Sequence, residues 1–202
     1  VKDKTNKTQS VIIAMIIYII VYYLLGLVFG FQKTPYAKTI LNILQNIWSF
    51  ASIVVFQEIV RAEMIRLDKK NIFNYTFIII VFALLSISFT TIPDNYTSIK
   101  DGFIFTVTTL IPAFVTSAVL TYLAYIGGAK LPIIYRMFII LPEFIIPIIP
   151  SFEWFVTAVM GLLVPVGVFI YLNYVHLKNQ AISIKMKKLS MKKKFFYVAS
   201  TI

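Results

Sequence analysis

A glutamate flanked by prolines, within one long apolar stretch, is the residue best suited to chemistry inside a membrane. Glu143 stands between Pro142 and Pro147. A proline within a helix removes a backbone hydrogen bond and tends to kink the helix. We therefore expect a bent helix with free carbonyl oxygens beside a carboxylate, an arrangement able to bind a ligand. The structural alternative is a protonated Glu143 that bonds to amides of a neighbouring helix.

The same stretch holds one arginine and further prolines. Arg136 precedes Glu143 by seven residues on the same helix face, which is about 10 Å along the axis. We expect Arg136 to extend to the cytoplasmic headgroups rather than to pair with Glu143. The sequence predicts that these two are the only charges well inside the hydrocarbon. Pro150 and Pro165 are predicted as additional helix kinks.

Two other segments carry polar or small residues at helical spacing. In the second apolar segment these are the amides and hydroxyls of Asn42, Gln45, Asn46, Ser49 and Ser52. We expect this stripe to face the bundle or a wet cavity, because an unpaired amide facing lipid is costly. Interhelical hydrogen bonding and ligand binding both remain open for it. In the fourth segment a close-packing face is predicted from Ala113, Thr116, Ser117, Ala118 and Thr121.

Acidic and basic residues alternate where the second apolar segment ends. Their spacing pairs Glu58 with Arg61 and Glu63 with Arg66, three residues apart on a helix. Such carboxylates could take part in metal binding or acid–base catalysis. The sequence favours a solvated helix end instead.

No complete catalytic or metal-binding motif is present. The sequence has no GxxxxGK[ST] loop, GxSxG elbow or HExxH pair. It lacks cysteine, and a single histidine, His176, excludes a multi-histidine zinc site. No cofactor or metal is predicted.

Composition identifies the class of protein. Of 202 residues, 59% are hydrophobic and 13% charged, and the mean hydropathy is +0.87. These values exclude an ordinary soluble domain and predict an all-α polytopic helix bundle in the cell membrane. The net charge of +11 does not indicate a nucleic-acid partner, because the basic residues cluster between and after apolar segments.

Residues 1–177 are predicted to form a six-span transmembrane bundle. The expected spans are Val11–Phe31, Thr39–Val60, Ile72–Ile92, Phe103–Ile126, Leu131–Ile149 and Trp154–Leu177. Fifteen lysines and arginines fall on the side of the termini and three on the other side. Because basic residues concentrate in cytoplasmic loops, both termini are predicted to be cytoplasmic.

Residues 178–202 are predicted to be a basic juxtamembrane linker. Its lysines should attract anionic lipid headgroups; those in the densest part are Lys185, Lys187, Lys188, Lys192, Lys193 and Lys194. The apolar run from Phe195 to Ile202 could begin a seventh span, and the chain has the appearance of a portion of something longer.

The stretch from Thr121 to Tyr171 resembles the N-terminal membrane region of type I signal peptidases of the SipW/archaeal-like class, in clostridia and related bacteria. The resembling elements are TYLAY before the glycines, the pair Tyr135-Arg136, the run IPIIP from Ile146, and Pro165. The resemblance implies a lysine-rich linker that leads to a further span and an extracellular serine hydrolase domain acting on preproteins. The SGSMxPT-like motif of that domain is absent, so no catalytic residue is carried over.

Function therefore has three alternatives. The first is an anchor or substrate-guiding module of a signal-peptidase-like protein in secretion, which would contact signal peptides. The second is the six-span substrate-binding component of an energy-coupling-factor vitamin transporter, with Glu143, Asn42, Gln45 and Asn46 in its pocket. The third is a membrane scaffold protein without a ligand.

Overall fold

The chain is helical throughout the described residues, apart from one short two-stranded sheet. The computed structural model describes the backbone of residues 2–68, 71–87 and 98–199, and the side chains of residues 7–68, 71–87, 98–175 and 177. The helices are α1 (Lys2–Phe29), α2 (Ile40–Leu67), α3 (Ile72–Ser86), α4 (Ile99–Phe105), α5 (Ile111–Gly127), α6 (Lys130–Ile145) and α7 (Trp154–Ala199). The strands are β1 (Phe31–Lys33) and β2 (Ile148–Pro150).

Four helical segments are long and apolar enough to cross a membrane. They are Lys7–Phe29, Ile40–Leu67, Ile99–Gly127 and Trp154–Val175. α3 is apolar but has only 15 residues, and α6 has 16 residues with Lys130, Arg136 and Glu143 among them. The fold is thus a bundle of long apolar helices, as the composition predicts for a membrane protein.

α5 lies at the centre of this bundle. It packs against α2, α3, α6 and α7, while α1 packs against α6 and α7. The main apolar core includes Met15, Leu123 and Tyr135, whose side chains are fully buried. The predicted small-residue face of α5 has Ser117 and Thr121 among the buried residues. This central position lets α5 contact side chains from several helices at once.

A pair of short strands closes one end of the bundle, and this pairing was not predicted from the sequence. β1 and β2 pair antiparallel, with Gln32 opposite Ile149. The turn from α1 into β1 uses Gly30, whose φ of 97° is rare for residues with a side chain. The predicted fifth span ran to Ile149, but the helix stops at Ile145 and the chain becomes extended.

The four prolines predicted as kinks fall into two groups. Pro142 and Pro165 lie inside α6 and α7. Pro147 and Pro150 lie beyond the end of α6, so the prediction that they kink a helix is wrong. An extended backbone precedes Pro147, as steric contact with a proline ring favours.

Lys38 satisfies the backbone at the end of α6. Its Nζ donates to the carbonyl oxygens of Glu143 and Phe144, at 2.7 and 2.9 Å. A positive charge at this position also interacts favourably with the helix dipole at the C-terminus of α6. Burial lowers the pKa of Lys38, and the nearby Glu143 opposes that change. The carbonyl of Glu143, predicted to be free, is therefore occupied.

A π-helical segment joins α4 to α5 at Thr106–Leu110. Pro112 follows it and has no N–H to donate to an earlier carbonyl, and the N–H of Ile111 bonds instead to the Thr106 carbonyl. Segments of this kind are frequent at functional sites. Here it places Thr108 and Thr109 on the wall of a cavity.

α7 continues as one helix from Trp154 through the lysine-rich stretch to Ala199. The predicted boundary between bundle and linker at residue 177 is therefore not a break in the helix. The side chains of Lys185, Lys187, Lys188, Lys192, Lys193 and Lys194 lie outside the described residues, as does that of His176.

Candidate functional site

A buried cluster of charged side chains joins α2 to α6 within the bundle. We call it the ion-pair cluster and define it as Glu58, Arg61 and Arg136. The side chains of Glu58 and Arg61 are 0% and 2% exposed, and Glu58 Oε2 lies 2.8 Å from Arg61 Nε. Glu58 Oε1 accepts a hydrogen bond from Arg136 Nη1 at 2.9 Å. One carboxylate thus serves two guanidinium groups.

The remaining donors of Arg61 are directed to α5. Its Nη1 lies 3.1 Å from both the carbonyl and the hydroxyl oxygen of Ser117, and 3.0 Å from Thr121 Oγ1. The guanidinium also stacks over the ring of Phe82 in α3, 4.2 Å from its centroid. Arg61 therefore links three helices to its own, a geometry that suits a planar guanidinium fork.

Arg136 reaches α2 from the opposite side of the cluster. Its Nη1 donates to Gln57 Oε1 at 2.6 Å as well as to Glu58. The side chain of Arg136 is 20% exposed. Its orientation differs from the predicted extension to the headgroups: Arg136 points into the bundle and binds polar side chains of α2.

Two sequence predictions about charges are wrong. The pairing of Glu58 with Arg61 is confirmed, but this pair is buried in the bundle rather than on a solvated helix end. Arg136 and Glu143 are accordingly not the only charges in the interior. The second predicted pair is confirmed as exposed, since Arg66 and Glu63 are 73% and 56% exposed. When Arg61 is left out of the count, fourteen basic residues remain on the side of the termini, against three on the other side.

Glu143 and the amide stripe lie apart from the ion-pair cluster. Glu143 is half-buried near the C-terminal end of α6. Within the described part of the chain, no side-chain hydrogen bond joins it to the amide stripe. Asn42 and Asn46 are half-buried, but Gln45 is exposed. The structure therefore does not bring the predicted pocket residues together, and the prediction that the whole stripe faces inward is wrong.

A cavity of about 310 Å³ adjoins the ion-pair cluster. We call it the cationic cavity, because Arg61 and Arg136 line it and its lining within the described residues includes no carboxylate. Hydroxyl groups supply much of the remaining polar wall, from Ser86, Thr108, Thr109, Thr116 and Ser117. Ser86, Thr108 and Ser117 donate their hydroxyl protons to backbone carbonyls, so within the described residues the hydroxyls of Thr109 and Thr116 are the ones left to donate to a negatively charged group. The sequence feature that could have indicated this cavity is Pro112, which follows Thr106, Thr108 and Thr109.

A second cavity of about 360 Å³ lies between α1, α5, α6 and α7. We call it the tyrosine cavity, after Tyr18, Tyr22 and Tyr135 in its wall. It extends to the paired strands β1 and β2, where Gln32 and Pro150 line it. Thr116, Tyr135 and Ile139 line both cavities and so separate them.

Fold and site together define a helical membrane protein with a buried, hydrogen-bonded ion-pair cluster beside an internal cavity. A comparison of the chain with protein-family models, curated proteins and solved structures finds no match.

Proposed function

We propose that this chain is a multi-pass module of the cell membrane with six spans and both termini in the cytoplasm. The four long apolar helices, together with α3 and α6, support this topology. The excess of basic residues toward the termini supports the orientation. In this arrangement the paired strands and Lys38 lie at the outer face, and the lysines of α7 lie where they can contact anionic lipid headgroups.

Within that topology, the module anchors and guides substrates for a signal-peptidase-like protein whose catalytic domain lies outside these residues. The observation that carries this proposal is the position of the resembling stretch, which forms the end of α5, all of α6, β2 and the start of α7. Its Arg136 belongs to the ion-pair cluster that connects α6 to α2. The resembling stretch thus contributes one of the residues that connect the helices of the bundle.

A surface groove supports the guiding role. Between α1 and α7 lies an apolar groove of about 360 Å³, whose lining includes Ile17, Val21, Leu163 and Gly167. In a membrane, a small residue such as glycine allows a second helix to approach closely. The apolar helix of a signal peptide is a partner of suitable chemistry for this surface.

The intact mass of the native protein, measured from its own membranes, tests the peptidase proposal. We expect a mass well above the 23.1 kDa of this chain, and labelling of the same polypeptide by a serine-directed acylating probe. The acylated serine should map downstream of residue 202. A native mass near 23.1 kDa would contradict the proposal.

A second candidate is the substrate-binding component of a vitamin-type importer. The cationic cavity favours it, since its volume of about 310 Å³ is at the lower end of small-molecule sites, about 300–1,000 Å³. Under this proposal the ligand contacts are made by Arg136 and the hydroxyl wall rather than by Glu143. We expect at least one water-soluble vitamin to raise the thermal midpoint of the purified chain saturably; no response across the panel would count against this function.

A further inference from the structure

We propose that the cationic cavity binds a small oxyanion group, a carboxylate or a phosphate, through Arg136 and the hydroxyl of Tyr135. This inference does not depend on either candidate function, because it follows from the charges and donors of the cavity itself. The group can belong to a free small anion or to the headgroup of a lipid. Both sources present the same negatively charged oxygens.

The charge balance of the ion-pair cluster is the first step. Glu58 is the one carboxylate that contacts Arg61 and Arg136 among the described residues. Two guanidinium groups therefore share one counter-charge, and a positive charge remains in a region of low dielectric. An anion in the adjoining cavity would complete the pairing. No carboxylate in the described lining would repel it.

The available donors identify the residue that would hold the anion. Arg61 directs Nη1 to Ser117 and Thr121 and Nε toward Glu58, so most of its guanidinium is already engaged with α2 and α5. Within the described part of the chain, both hydrogen bonds of Arg136 leave from Nη1. Its Nε and Nη2 can thus offer the forked pair of N–H groups that matches carboxylate and phosphate oxygens.

Tyr135 supplies a second, independent observation. Its side chain is 0% exposed, and its hydroxyl has no hydrogen-bond partner among the described residues. Buried hydroxyls without a partner are rare, because an unmade hydrogen bond is costly. Tyr135 lines the cationic cavity, as Arg136 does, and also the tyrosine cavity. An oxyanion there would accept a hydrogen bond from this hydroxyl and from the Arg136 fork.

The test measures anion binding to the full chain in a neutral detergent, by the thermal midpoint of unfolding. The probes are inorganic phosphate and acetate, titrated against chloride at constant ionic strength, and phosphatidylglycerol added to the micelles. We compare the wild-type chain with Arg136→Gln and Tyr135→Phe. The matched control is Arg66→Gln, which removes an exposed guanidinium.

We expect a saturable rise of the midpoint for the wild type and for Arg66→Gln. The apparent affinity should fall about 10-fold or more in both Arg136→Gln and Tyr135→Phe, the effect expected when a hydrogen bond to a charged group is lost. Tyr135→Phe keeps the ion-pair cluster, so it provides the test if Arg136→Gln does not fold. A response to phosphate or acetate identifies a free anion, and a response to phosphatidylglycerol alone identifies a headgroup.

Three results would overturn the proposal. One is the absence of any saturable response in the wild type to all of these probes. Another is an equal response to chloride, which would indicate ionic strength alone. The third is unchanged affinity in both the Arg136 and the Tyr135 variants. Each of these leaves the peptidase proposal untouched, since that depends on the mass and the downstream serine of the native protein.

Discussion

Replacing Glu58 by glutamine is expected to lower the free energy of unfolding by about 3–5 kcal/mol, the range for removing one partner of a buried ion pair. The substitution preserves side-chain size, removes the charge and replaces one acceptor oxygen by an NH2 group that donates. Arg61 and Arg136 would then face each other across a neutral amide in a buried environment. The measurement is reversible unfolding in mixed micelles, with increasing fractions of a denaturing detergent.

Glu63→Gln is the matched control for this substitution. Glu63 pairs with Arg66 at the same three-residue spacing on the same helix, but both side chains are largely exposed. Exposed pairs contribute about 0–1 kcal/mol, so we expect little change in stability. Equal effects of Glu58→Gln and Glu63→Gln would mean that the burial of the first pair has no energetic consequence.

A double substitution separates charge from packing. In Glu58→Gln combined with Arg136→Gln, one negative and one positive charge are removed together, and Arg61 keeps the one remaining charge of the cluster. We expect the double variant to be less destabilised than the sum of the single variants, because directly interacting residues are not additive. Additive effects would contradict a direct ion pair between α2 and α6.

The charge pattern alone could not separate the two pairs of α2, because their spacing is identical. The separating information is the helical register. Val54, Glu58, Arg61 and Ile65 recur at four-, three- and four-residue steps and are all buried. Two charged residues thus lie in line with apolar ones on the face that packs into the bundle. Reading register together with charge would have placed Glu58 and Arg61 inside.

The segments of the bundle were predictable to a greater extent than its interior. Long apolar stretches specify helices directly: each predicted span overlaps a helix in the described part of the chain, and four helical segments there are long and apolar enough to cross a membrane. The pairing of β1 with β2 joins residues 115 or more positions apart, which no local pattern encodes. The cationic cavity has the same origin, since it collects residues from α2, α3, α5 and α6.

Glu143 illustrates why an isolated charge in an apolar segment is an incomplete guide. The sequence favoured it because it stands between prolines, but those prolines also mark where α6 ends. Its backbone carbonyl is bound by Lys38, and its side chain is only half-buried. For Arg136 the sequence predicts only an extension to the headgroups. It is the one that contacts α2 and lines the cavity.

Replacing Arg61 by methionine is the second substitution with a large expected effect, about 1–3 kcal/mol for each buried hydrogen-bond partner left unsatisfied. Methionine fills a similar volume beside Phe82 but cannot bond to Glu58, Ser117 or Thr121. Glu58 would keep Arg136 as its counter-charge. The loss would therefore arise mainly from unmade hydrogen bonds to α5 and from the missing cation–π contact.

Arg61→Lys tests whether charge alone holds the cluster. A lysine keeps the positive charge, but its ammonium cannot reach Glu58 and the α5 oxygens with the geometry of a planar fork. We expect a loss of stability between that of the wild type and that of Arg61→Met, whereas Arg66→Lys at the exposed pair should have almost no effect. If Arg61→Lys were as stable as the wild type, the fork geometry would be irrelevant. Charge balance would then be the sole basis of the cluster, and the assignment of Arg136 rather than Arg61 to the anion would lose its argument from occupied donors.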